Sequence, residues 1–429
     1  MSKLPMLQAP ESGATVDQWL DYLEALHPKE IDLGLDRVLV VLRRLFPVRP
    51  KARVVTIGGT NGKGTTVAAL EQLLRASDRT VGAYTSPHLQ RYNERVRING
   101  VDVSDDDLVA AFETVEEARR SVSLTYFEFG TLAAFVLFQR AELDDWILEV
   151  GLGGRLDAVN VLDADLAIIT SVDLDHTAWL GNDRDTIGYE KAGILRHGQK
   201  AIYADLDPPR SVLQQVSAQG VDCYRLGEQY RIETNSAGAR VVTDAGGHWS
   251  FALPASCLPE QSLAAAVQAF RLLQPDEADE RIETALENVR IPGRFEIFGE
   301  APRVILDVGH NPHAARWLRA RIERLGVSGR VRAVYACLQD KDTAGVLRAM
   351  EPVVDDWYLA PLSIARGLDI GGVWERARDL LPVHDVVRRE ASVVEALEQA
   401  LAEAEPEDCI LVFGSFFTVS EARELLSNA

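Results

Sequence analysis

The sequence predicts an α/β protein with a larger N-terminal domain and a smaller C-terminal domain, each built around a mainly parallel sheet. Short β-branched runs alternate with helical apolar patterns along most of the chain, which is typical of parallel sheets covered by helices. The 429 residues exceed the usual size of one hydrophobic core, so two domains are expected. The stretch IPGR (291–294) lies between a helical segment and a new series of strands. We therefore predict domains at 1–295 and 296–429.

Two helices are predicted at the start of the chain. Thr15 and Gln18 are spaced as in a capping box, and apolar residues from Trp19 to Leu26 continue at helical intervals. A second apolar-periodic run covers 38–46 and ends before a proline. Both segments therefore precede the first predicted strand.

A strand then leads through glycines into a helix, in the segment VVTIGGTNGKGTT (54–66). This segment differs from a standard phosphate-binding loop at its first glycine, and we interpret Gly58 and Gly59 as its turn. The helix is expected to begin near Thr65, so that backbone N–H groups and Lys63 face a phosphate. A turn without a ligand is the alternative. The strand before the loop and the helix after it favour nucleotide binding.

Further buried strands are predicted in both domains from short apolar runs. They cover 146–151, 166–172, 303–309, 331–338, 356–362 and 409–415. More polar β-forming residues fill the segment 202–253, which predicts antiparallel hairpins attached to the first domain.

Acidic and histidine side chains follow several of these strands. Glu149 closes one strand, His176 follows another, and Asp307 and His310 follow the first strand of the second domain. The carboxyl ends of parallel strands meet at the ligand-binding edge of an open sheet, where carboxylates can hold Mg²⁺. Each residue also has a plain interpretation, as a solvated strand-end charge or a packed histidine. From composition alone, Lys191 is a solvated lysine.

Composition excludes several function classes. A net charge of −20 argues against nucleic acid as a partner, because binding to a phosphate backbone needs a basic face. No apolar run approaches the roughly 18 residues that a membrane span needs, and the first residues lack a hydrophobic signal core, so we expect a cytoplasmic protein. The four cysteines are far apart and are expected to be isolated buried thiols: Cys223, Cys257, Cys337 and Cys409.

Taken together, these stretches resemble the Mur-ligase superfamily. The shared motifs occur in the family's order: GTNGKGTT, TSPHL, EVGLGGRLDAVN, LDHTAWLG, EKAGI, PGRFE, LDVGHNPHAA and LQDKD. The N-terminal WLDYLEALHPKEIDLGLDRV and the ERVRING after TSPHL are similar to the folate branch, the bacterial dihydrofolate synthase/folylpolyglutamate synthase family. The resemblance covers nearly the whole chain.

This resemblance implies a P-loop-type N-terminal ATPase domain and a Rossmann-like C-terminal glutamate-ligase domain. It implies ATP-dependent joining of L-glutamate to dihydropteroate, and to tetrahydrofolates, through an acyl phosphate. The implied cofactors are ATP and Mg²⁺, with two metal ions in the site and K⁺ as a further candidate. The implied protein is a cytoplasmic monomer that acts on small molecules and on neither nucleic acid nor membranes.

The same resemblance assigns substrate-binding residues motif by motif. The ATP set is Thr60, Asn61, Gly62, Lys63, Gly64, Thr65, Ser262, Arg294 and Asp307. The dihydropteroate set is Lys29, Glu30, Ile31, Thr125, Tyr126, Phe127, Glu128, Leu156, Asp157 and Ala158.

Metal ligands and catalytic residues follow from the same motifs. The implied metal ligands are Ser86, Glu149, His176 and Lys191. Carbamylation would give Lys191 a carboxylate-like end, which reverses its interpretation as a solvated lysine. The implied catalytic set is Lys63, Lys191, His176, Glu149 and His310.

Two positions depart from the family pattern. Ser262 stands where the family commonly has an asparagine that touches ATP, which puts its role in question. Phe417 replaces a histidine in GSFHTV, so we assign it no polar role. The alternatives are a folylpolyglutamate synthase without the first activity, another Mur-type amide ligase, and a nucleotide-dependent switch. A switch would not require the metal set or the second-domain acid.

Overall fold

The computed structural model describes residues 8–11, 13–236, 238–255, 258–277, 279–381 and 386–427. The chain divides into two compact units, Met1–Val289 and Arg290–Ala429. The sequence places the boundary a few residues later, after Phe295. Gly293 already pairs within the second unit, because its carbonyl accepts from the Val308 N–H at 2.9 Å and its N–H donates to Glu296 at 2.8 Å.

The first unit contains the helices and strands expected of an α/β layer structure. In chain order they are α1 (Val16–Leu26), α2 (Asp36–Leu45), β1 (Arg53–Gly58), α3 (Lys63–Ala76), β2 (Val81–Tyr84), β3 (Val96–Ile98), β4 (Val101–Asp102), α4 (Asp105–Arg119), α5 (Tyr126–Arg140), β5 (Asp145–Glu149), β6 (Leu166–Ile169), α6 (Thr177–Leu180), α7 (Arg184–Ala192), β7 (Lys200–Tyr203), α8 (Arg210–Ala218), β8 (Asp222–Arg225), β9 (Tyr230–Thr234), β10 (Arg240–Asp244), β11 (Ser250–Ala252), α9 (Glu260–Leu273) and α10 (Asp279–Glu287).

The main sheet of this unit has the strand order β4-β3-β2-β5-β1-β6-β7-β8. All neighbouring pairs from β2 to β8 are parallel, whereas β3 and β4 add antiparallel strands at one edge. The chain moves to one side of β1 for β2 and β5 and crosses to the other side for β6. The carboxyl ends of β1, β5 and β6 therefore meet at a topological switch point, where open α/β sheets bind ligands.

Helix caps and aromatic packing fix the elements around this sheet. The predicted capping box of α1 is confirmed, since Thr15 and Gln18 satisfy each other's backbone N–H groups. Helix α5 is buried on all sides from Glu128 to Phe138, and its Phe135 stacks on Trp146 of β5 with ring centroids 5.7 Å apart. Such buried aromatic pairs anchor the helix that carries the predicted pteroate segment.

The segment 202–253 is antiparallel only in its second half. Strands β9, β10 and β11 form the predicted antiparallel sheet. Strands β7 and β8, by contrast, are parallel and extend the main sheet, with α8 as their crossover. The prediction of hairpins from residue 202 onward is therefore wrong up to about Arg225, because short, partly polar edge strands look alike in the two arrangements.

The second unit is a smaller α/β layer structure. Its elements are β12 (Glu296–Phe298), β13 (Arg303–Asp307), α11 (Pro312–Leu325), β14 (Val331–Tyr335), α12 (Thr343–Met350), β15 (Asp356–Leu359), α13 (Ile370–Ala377), β16 (Val386–Arg389), α14 (Val393–Glu403), β17 (Cys409–Phe413) and α15 (Phe416–Ser427). The strand order is β12-β13-β17-β14-β15-β16, parallel except for β12. The predicted fold class is confirmed in both units.

The prediction that the four cysteines are buried thiols is confirmed for two of them. Cys337 and Cys409 are buried free thiols, as predicted, whereas Cys223 is half-buried and Cys257 lies outside the described residues. In the part of the chain that the structure describes, none of the helices has the length and apolar character needed to cross a membrane.

Candidate active site

The loop after β1 turns at two glycines, Gly59 and Gly62. Gly59 has φ of +143°, and a Cβ there would lie 1.9 Å from the Thr170 hydroxyl oxygen after β6. Gly62 has φ of +86° and caps α3, which begins at Lys63 and not near Thr65 as predicted. Gly58 is the last residue of β1, so the interpretation of Gly58 and Gly59 as the turn is wrong in its first member. The backbone can adopt this loop conformation because both positions with positive φ are glycine.

Two lysines converge on the carbonyl oxygen of Gly59. The Lys191 Nζ donates to it at 2.9 Å, and the Lys63 Nζ donates to it at 3.2 Å and to the Thr60 carbonyl at 3.2 Å. Lys191 is only 4% exposed, so its interpretation as a solvated lysine is wrong. Burial, and after it the charge of Lys63, lower the pKa of Lys191 to about 7. A buried amine that is partly neutral at pH 7 can react with CO₂, as carbamylation requires.

Glu149 brings a buried carboxylate to the same edge of the sheet. It is the last residue of β5, and its Oε2 accepts from the Ser86 N–H at 3.1 Å. A Cβ on Gly64 would lie 3.9 Å from this oxygen, so the carboxylate faces the first turn of α3. The structure thus brings Ser86, Glu149 and the phosphate-loop helix together, as the sequence predicts of a metal site beside a phosphate.

His176 lies in the left-handed region, with φ of +51°, at the start of α6. Its side chain is 35% exposed, and its Nε2 lies 4.0 Å from the buried Asp175 carboxylate. Within the described ranges, no three His, Cys, Asp or Glu side chains group as a metal site. The predicted metal set contains only two such side chains, with a hydroxyl and a lysine, so its role stays a prediction.

The remaining loop residues are held by β6 and α9. The Thr60 N–H donates to the Ser171 carbonyl at 2.8 Å, and the Asn61 N–H donates to the Ser171 hydroxyl at 3.1 Å. Thr65 is buried in the first turn of α3. Ser262 of α9 is buried against the loop, since a Cβ on Gly62 would lie 2.5 Å from its hydroxyl oxygen. Ser262 therefore lies where an ATP contact is predicted, although it is not asparagine.

The predicted pteroate segment 125–128 forms the start of α5. Thr125 and Glu128 make a capping box, with the Glu128 Oε2 accepting from the Thr125 N–H at 2.7 Å. The same carboxylate pairs with Arg37, whose Nη2 lies 2.8 Å from Oε1. Arg37 also pairs with Asp32 at 2.7 Å. Glu128 thus holds the segment in place, and its carboxylate is already engaged by two partners.

Arg37 connects this segment to the third predicted pteroate segment, 29–31. Lys29 is exposed and pairs with Asp32 at 3.1 Å, while Glu30 and Ile31 lie between these two residues. Sequence reasoning missed Arg37. Its signal was its place in DLGLDRV, one of the stretches that carry the folate-branch resemblance.

The turn that leads from β5 to the segment 156–158 packs against the start of α5 at Gly151. A Cβ on Gly151 would lie 2.7 Å from the Phe127 ring, so this ring covers the turn that follows β5. Asp157 is buried in that turn and accepts from the N–H groups of Leu152 at 2.8 Å and Val159 at 3.1 Å. Burial raises the pKa of Asp157 to about 7, although the hydrogen bonds from these N–H groups lower it. Leu156 is half-buried and Ala158 is buried.

An arginine and a histidine that sequence reasoning missed lie beside Tyr126. The Arg95 guanidinium lies over the rings of Tyr92 and Tyr126, at 5.0 Å and 5.5 Å from their centroids. Its Nε donates to the Nδ1 of His88 at 2.8 Å. Burial, and after it the Arg95 charge, lower the pKa of His88 to about 4. Both residues lie in motifs that carry the resemblance, TSPHL and ERVRING.

In the second unit, Asp307 and Arg294 lie close together. Asp307 ends β13 and accepts from the N–H groups of Phe295 at 2.9 Å and Gly309 at 2.7 Å. Burial raises the pKa of Asp307, and the positive charge of Arg294 opposes this rise. The Arg294 guanidinium also lies 5.2 Å from the centroid of Phe416. This unit therefore presents one acid and one cation at a strand end.

His310 and Phe417 complete the predicted positions of this unit. The His310 Nδ1 lies 2.9 Å from the Val308 carbonyl oxygen, so Nδ1 carries a proton and donates to this oxygen. Phe417 is 47% exposed at the start of α15, in keeping with the absence of a polar role.

Comparison with family models finds two Mur ligase domains in the chain. The Mur ligase middle domain matches residues 57–253, and the Mur ligase glutamate ligase domain matches residues 293–416. Each match lies entirely within one of the two units.

Curated relatives and solved structures match almost the full length. The chain is 44% identical over 427 residues to the dihydrofolate synthase/folylpolyglutamate synthase of Escherichia coli, covering 98% of this chain and 97% of that protein. It is similar to the structure of E. coli FolC in complex with DHPP and ADP, with a TM-score of 0.92, 43% identity and coverage of 98% and 99%. It is also similar to a bifunctional folylpolyglutamate synthase/dihydrofolate synthase with Mn, AMPPNP and L-glutamate bound, with a TM-score of 0.91, 42% identity and coverage of 98% and 100%.

Proposed function

Because this chain belongs to the dihydrofolate synthase/folylpolyglutamate synthase family of Mur ligases, we propose that it joins L-glutamate to dihydropteroate and to folates at the expense of ATP. The observation that carries this proposal is the convergence of Lys63, Lys191 and Glu149 at the loop after β1. A nucleotide switch needs a phosphate loop, but it does not need a second buried lysine beside that loop.

The first step is the activation of the substrate carboxylate. One carboxylate oxygen attacks the γ-phosphorus of ATP, the bond from this phosphorus to the bridging oxygen breaks, and ADP leaves. Charge shifts to the bridging oxygen as that bond breaks, so cations placed beforehand lower the barrier. Lys63 and the N-terminus of α3 supply positive charge there, and Thr60, Asn61, Gly62, Gly64, Thr65 and Ser262 form the remainder of the proposed ATP loop.

The second step forms the amide. The amine of L-glutamate attacks the acyl carbon, the carbon–oxygen bond to phosphate breaks, and inorganic phosphate leaves. The amine must be unprotonated to attack, and it must lose another proton afterwards. We assign this proton transfer to the Nε2 of His310 and assign ATP contacts to Arg294 and Asp307.

The residues at the end of β5 fit a divalent cation. Glu149 offers a buried carboxylate and Ser86 a hydroxyl, which are the oxygen donors that Mg²⁺ prefers, and His176 would add an imidazole nitrogen. Carbamylated Lys191 would add a second carboxylate-like group. Bound Mg²⁺ would neutralise phosphate charge. The presence of two Mg²⁺ ions stays a prediction, and K⁺ stays a further candidate.

The pteroate substrate is assigned to the start of α5 and the turn after β5. Phe127 and Tyr126 offer aromatic faces to a flat pterin, and Asp157 offers a buried carboxyl group for its hydrogen-bonding edge. Thr125 and Glu128 position these rings through the capping box, with the segment 29–31 and Leu156 and Ala158 around them. We place the reaction in the cytoplasm and the active form as a monomer.

Glutamate-dependent ADP release with two acceptors tests the proposed function. We expect release with dihydropteroate and also with tetrahydrofolate, and no release without L-glutamate. If L-glutamate supports release with tetrahydrofolate but not with dihydropteroate, the protein is a folylpolyglutamate synthase without dihydrofolate synthase activity. Release with neither acceptor would contradict the proposal.

A further inference from the structure

Arg95 is a buried cation whose charge has no acidic partner among the described residues. It is 9% exposed, and among the described residues its guanidinium forms no ion pair and donates its side-chain hydrogen bond to His88. The rings of Tyr92 and Tyr126 offset part of the cost of burying this charge. A buried cation held by neutral rings is suited to an anionic ligand.

His88 adds a second donor with a defined tautomer. A guanidinium donates hydrogen bonds and does not accept them, so the bond of 2.8 Å from the Arg95 Nε makes the His88 Nδ1 an acceptor. The proton of the neutral ring is then on Nε2. The ring is half-buried, and among the described residues its Nε2 makes no hydrogen bond. Arg95 and His88 therefore form a paired donor group.

This donor pair is linked to a residue of the proposed metal set and to the start of the proposed pteroate segment. His88 follows Ser86 by two residues, and the Ser86 N–H donates to Glu149. Arg95 lies over the ring of Tyr126, the first residue of α5. A group bound by the pair would thus be close to the carboxylate that reacts with ATP.

We propose that Arg95 and His88 bind the α-carboxylate of the glutamyl residue in a folylglutamate substrate. This inference rests on the proposed function. Dihydropteroate has one carboxylate, and that carboxylate must face the γ-phosphate. A folylglutamate has a second carboxylate on the same glutamyl residue as the reacting one, so it must lie close by. The donor pair is therefore specificity-determining for glutamate chain extension and dispensable for the first addition.

The test compares the two acceptors in variants of the pair. For Arg95→Gln and His88→Ala, the loss of a charged or donor contact predicts a KM for tetrahydrofolate raised about 10- to 100-fold. The KM for dihydropteroate is expected to change by less than about threefold, and circular dichroism reports folding. Arg91→Ala is the matched control, since Arg91 lies in the same segment but is exposed and pairs with Asp105 at the surface.

A substrate analogue separates charge recognition from general packing. Tetrahydrofolate with its α-carboxylate converted to an amide is expected to have a raised KM with the wild type and no further rise with Arg95→Gln. If that variant does not fold, His88→Ala decides. Equal losses with both acceptors, or no loss with either, would overturn this inference alone. A wild type without glutamate-dependent ADP release would instead overturn the proposed function and the inference with it.

Discussion

At the scale of single residues, the electrostatics of the proposed site depend on two lysines that share one carbonyl oxygen. Lys63 and Lys191 both donate to Gly59, and the charge of one lowers the pKa of the other. Two ammonium groups that bind the same oxygen, one of them buried, repel each other. Conversion of Lys191 into a carbamate would replace this repulsion by attraction.

Replacement of Lys63 by alanine is expected to abolish turnover. The change removes the cation that we propose to face the γ-phosphate, so kcat/KM should fall by about 10³-fold, at the upper end of the range for charge-stabilising residues. Steady-state ADP release measures this. Lys51→Ala, which removes an exposed lysine just before β1, should retain full activity. Unchanged turnover in Lys63→Ala would mean that the loop has been misinterpreted.

Replacement of Lys191 by alanine is expected to abolish activity that short carboxylic acids partly restore. The cavity left by the side chain would admit acetate or a similar acid, which supplies the missing carboxylate-like group. Activity is measured across an acetate series, with chloride at equal ionic strength as the reference. Lys200→Ala, at an exposed position of β7, should need no rescue. Full activity of Lys191→Ala without acid would refute the role.

Residues whose role depends on contacts distant in sequence could be predicted only in part. Glu149 and Lys63 follow from strand-end position and loop composition, and the structure brings them together. The burial of Lys191 results from α7 packing against the loop after β1, more than 100 residues earlier in the chain. Arg37 and Arg95 look like surface arginines in sequence. Only tertiary packing places them beside Glu128 and His88.

At the scale of elements, a buried acid joins the strand ends of the second unit. Asp408 accepts from the Arg330 N–H at 2.7 Å, from the Glu405 N–H at 3.0 Å and from the Arg332 Nε at 3.0 Å. Burial alone would raise the pKa of Asp408, but these donors lower it overall. The carboxylate therefore ties the starts of β14 and β17 together.

Replacement of Asp408 by asparagine is expected to lower the free energy of unfolding by about 3 kcal/mol at pH 7. In asparagine an NH₂ group replaces one carboxylate oxygen. This NH₂ group would face N–H donors from which that oxygen now accepts hydrogen bonds. Urea denaturation followed by circular dichroism measures the effect. Glu407→Gln, at the exposed neighbouring position, should change the free energy of unfolding by less than about 0.5 kcal/mol.

The same substitution has a defined pH dependence. Since the folded-state pKa of Asp408 is lowered, its stabilising contribution is present above the ordinary aspartate pKa of about 4 and is lost as the pH falls below it. The stability difference between wild type and Asp408→Asn should therefore shrink below about pH 4. A difference that grows toward low pH would contradict the assignment.

Strands with continuous apolar runs were predictable, whereas partly polar edge strands were not. The predictable strands are rich in β-branched, aromatic and other apolar residues: β1, β5, β6, β13, β14, β15 and β17. β2 has the sequence VGAY and was not predicted, because it is short and contains a glycine. β7 and β8 are parallel strands that look like hairpin arms, because pairing partners are set by tertiary structure. The start of α3 at Lys63 depends on the left-handed Gly62, which composition does not locate.

At the scale of the whole molecule, the two units have separate sheets and separate proposed tasks. The first unit carries the phosphate loop, the proposed metal ligands and the pteroate segments, and the second carries Arg294, Asp307 and His310. Two domains and their fold class were predictable from length and from the alternation of strands and helices. The predicted domain boundary lies a few residues later in the chain than the observed one, because the hydrogen bond between Gly293 and Val308 cannot be recognised from composition.

The transfer of heavy oxygen from the substrate to phosphate tests the central claim most directly. Dihydropteroate labelled with heavy oxygen in its carboxylate is incubated with the enzyme, ATP, Mg²⁺ and L-glutamate, and the released phosphate is analysed by mass spectrometry. If the carboxylate attacks the γ-phosphorus, each phosphate released carries one oxygen from the labelled carboxylate. Unlabelled phosphate released together with glutamylated product would contradict an acyl phosphate intermediate.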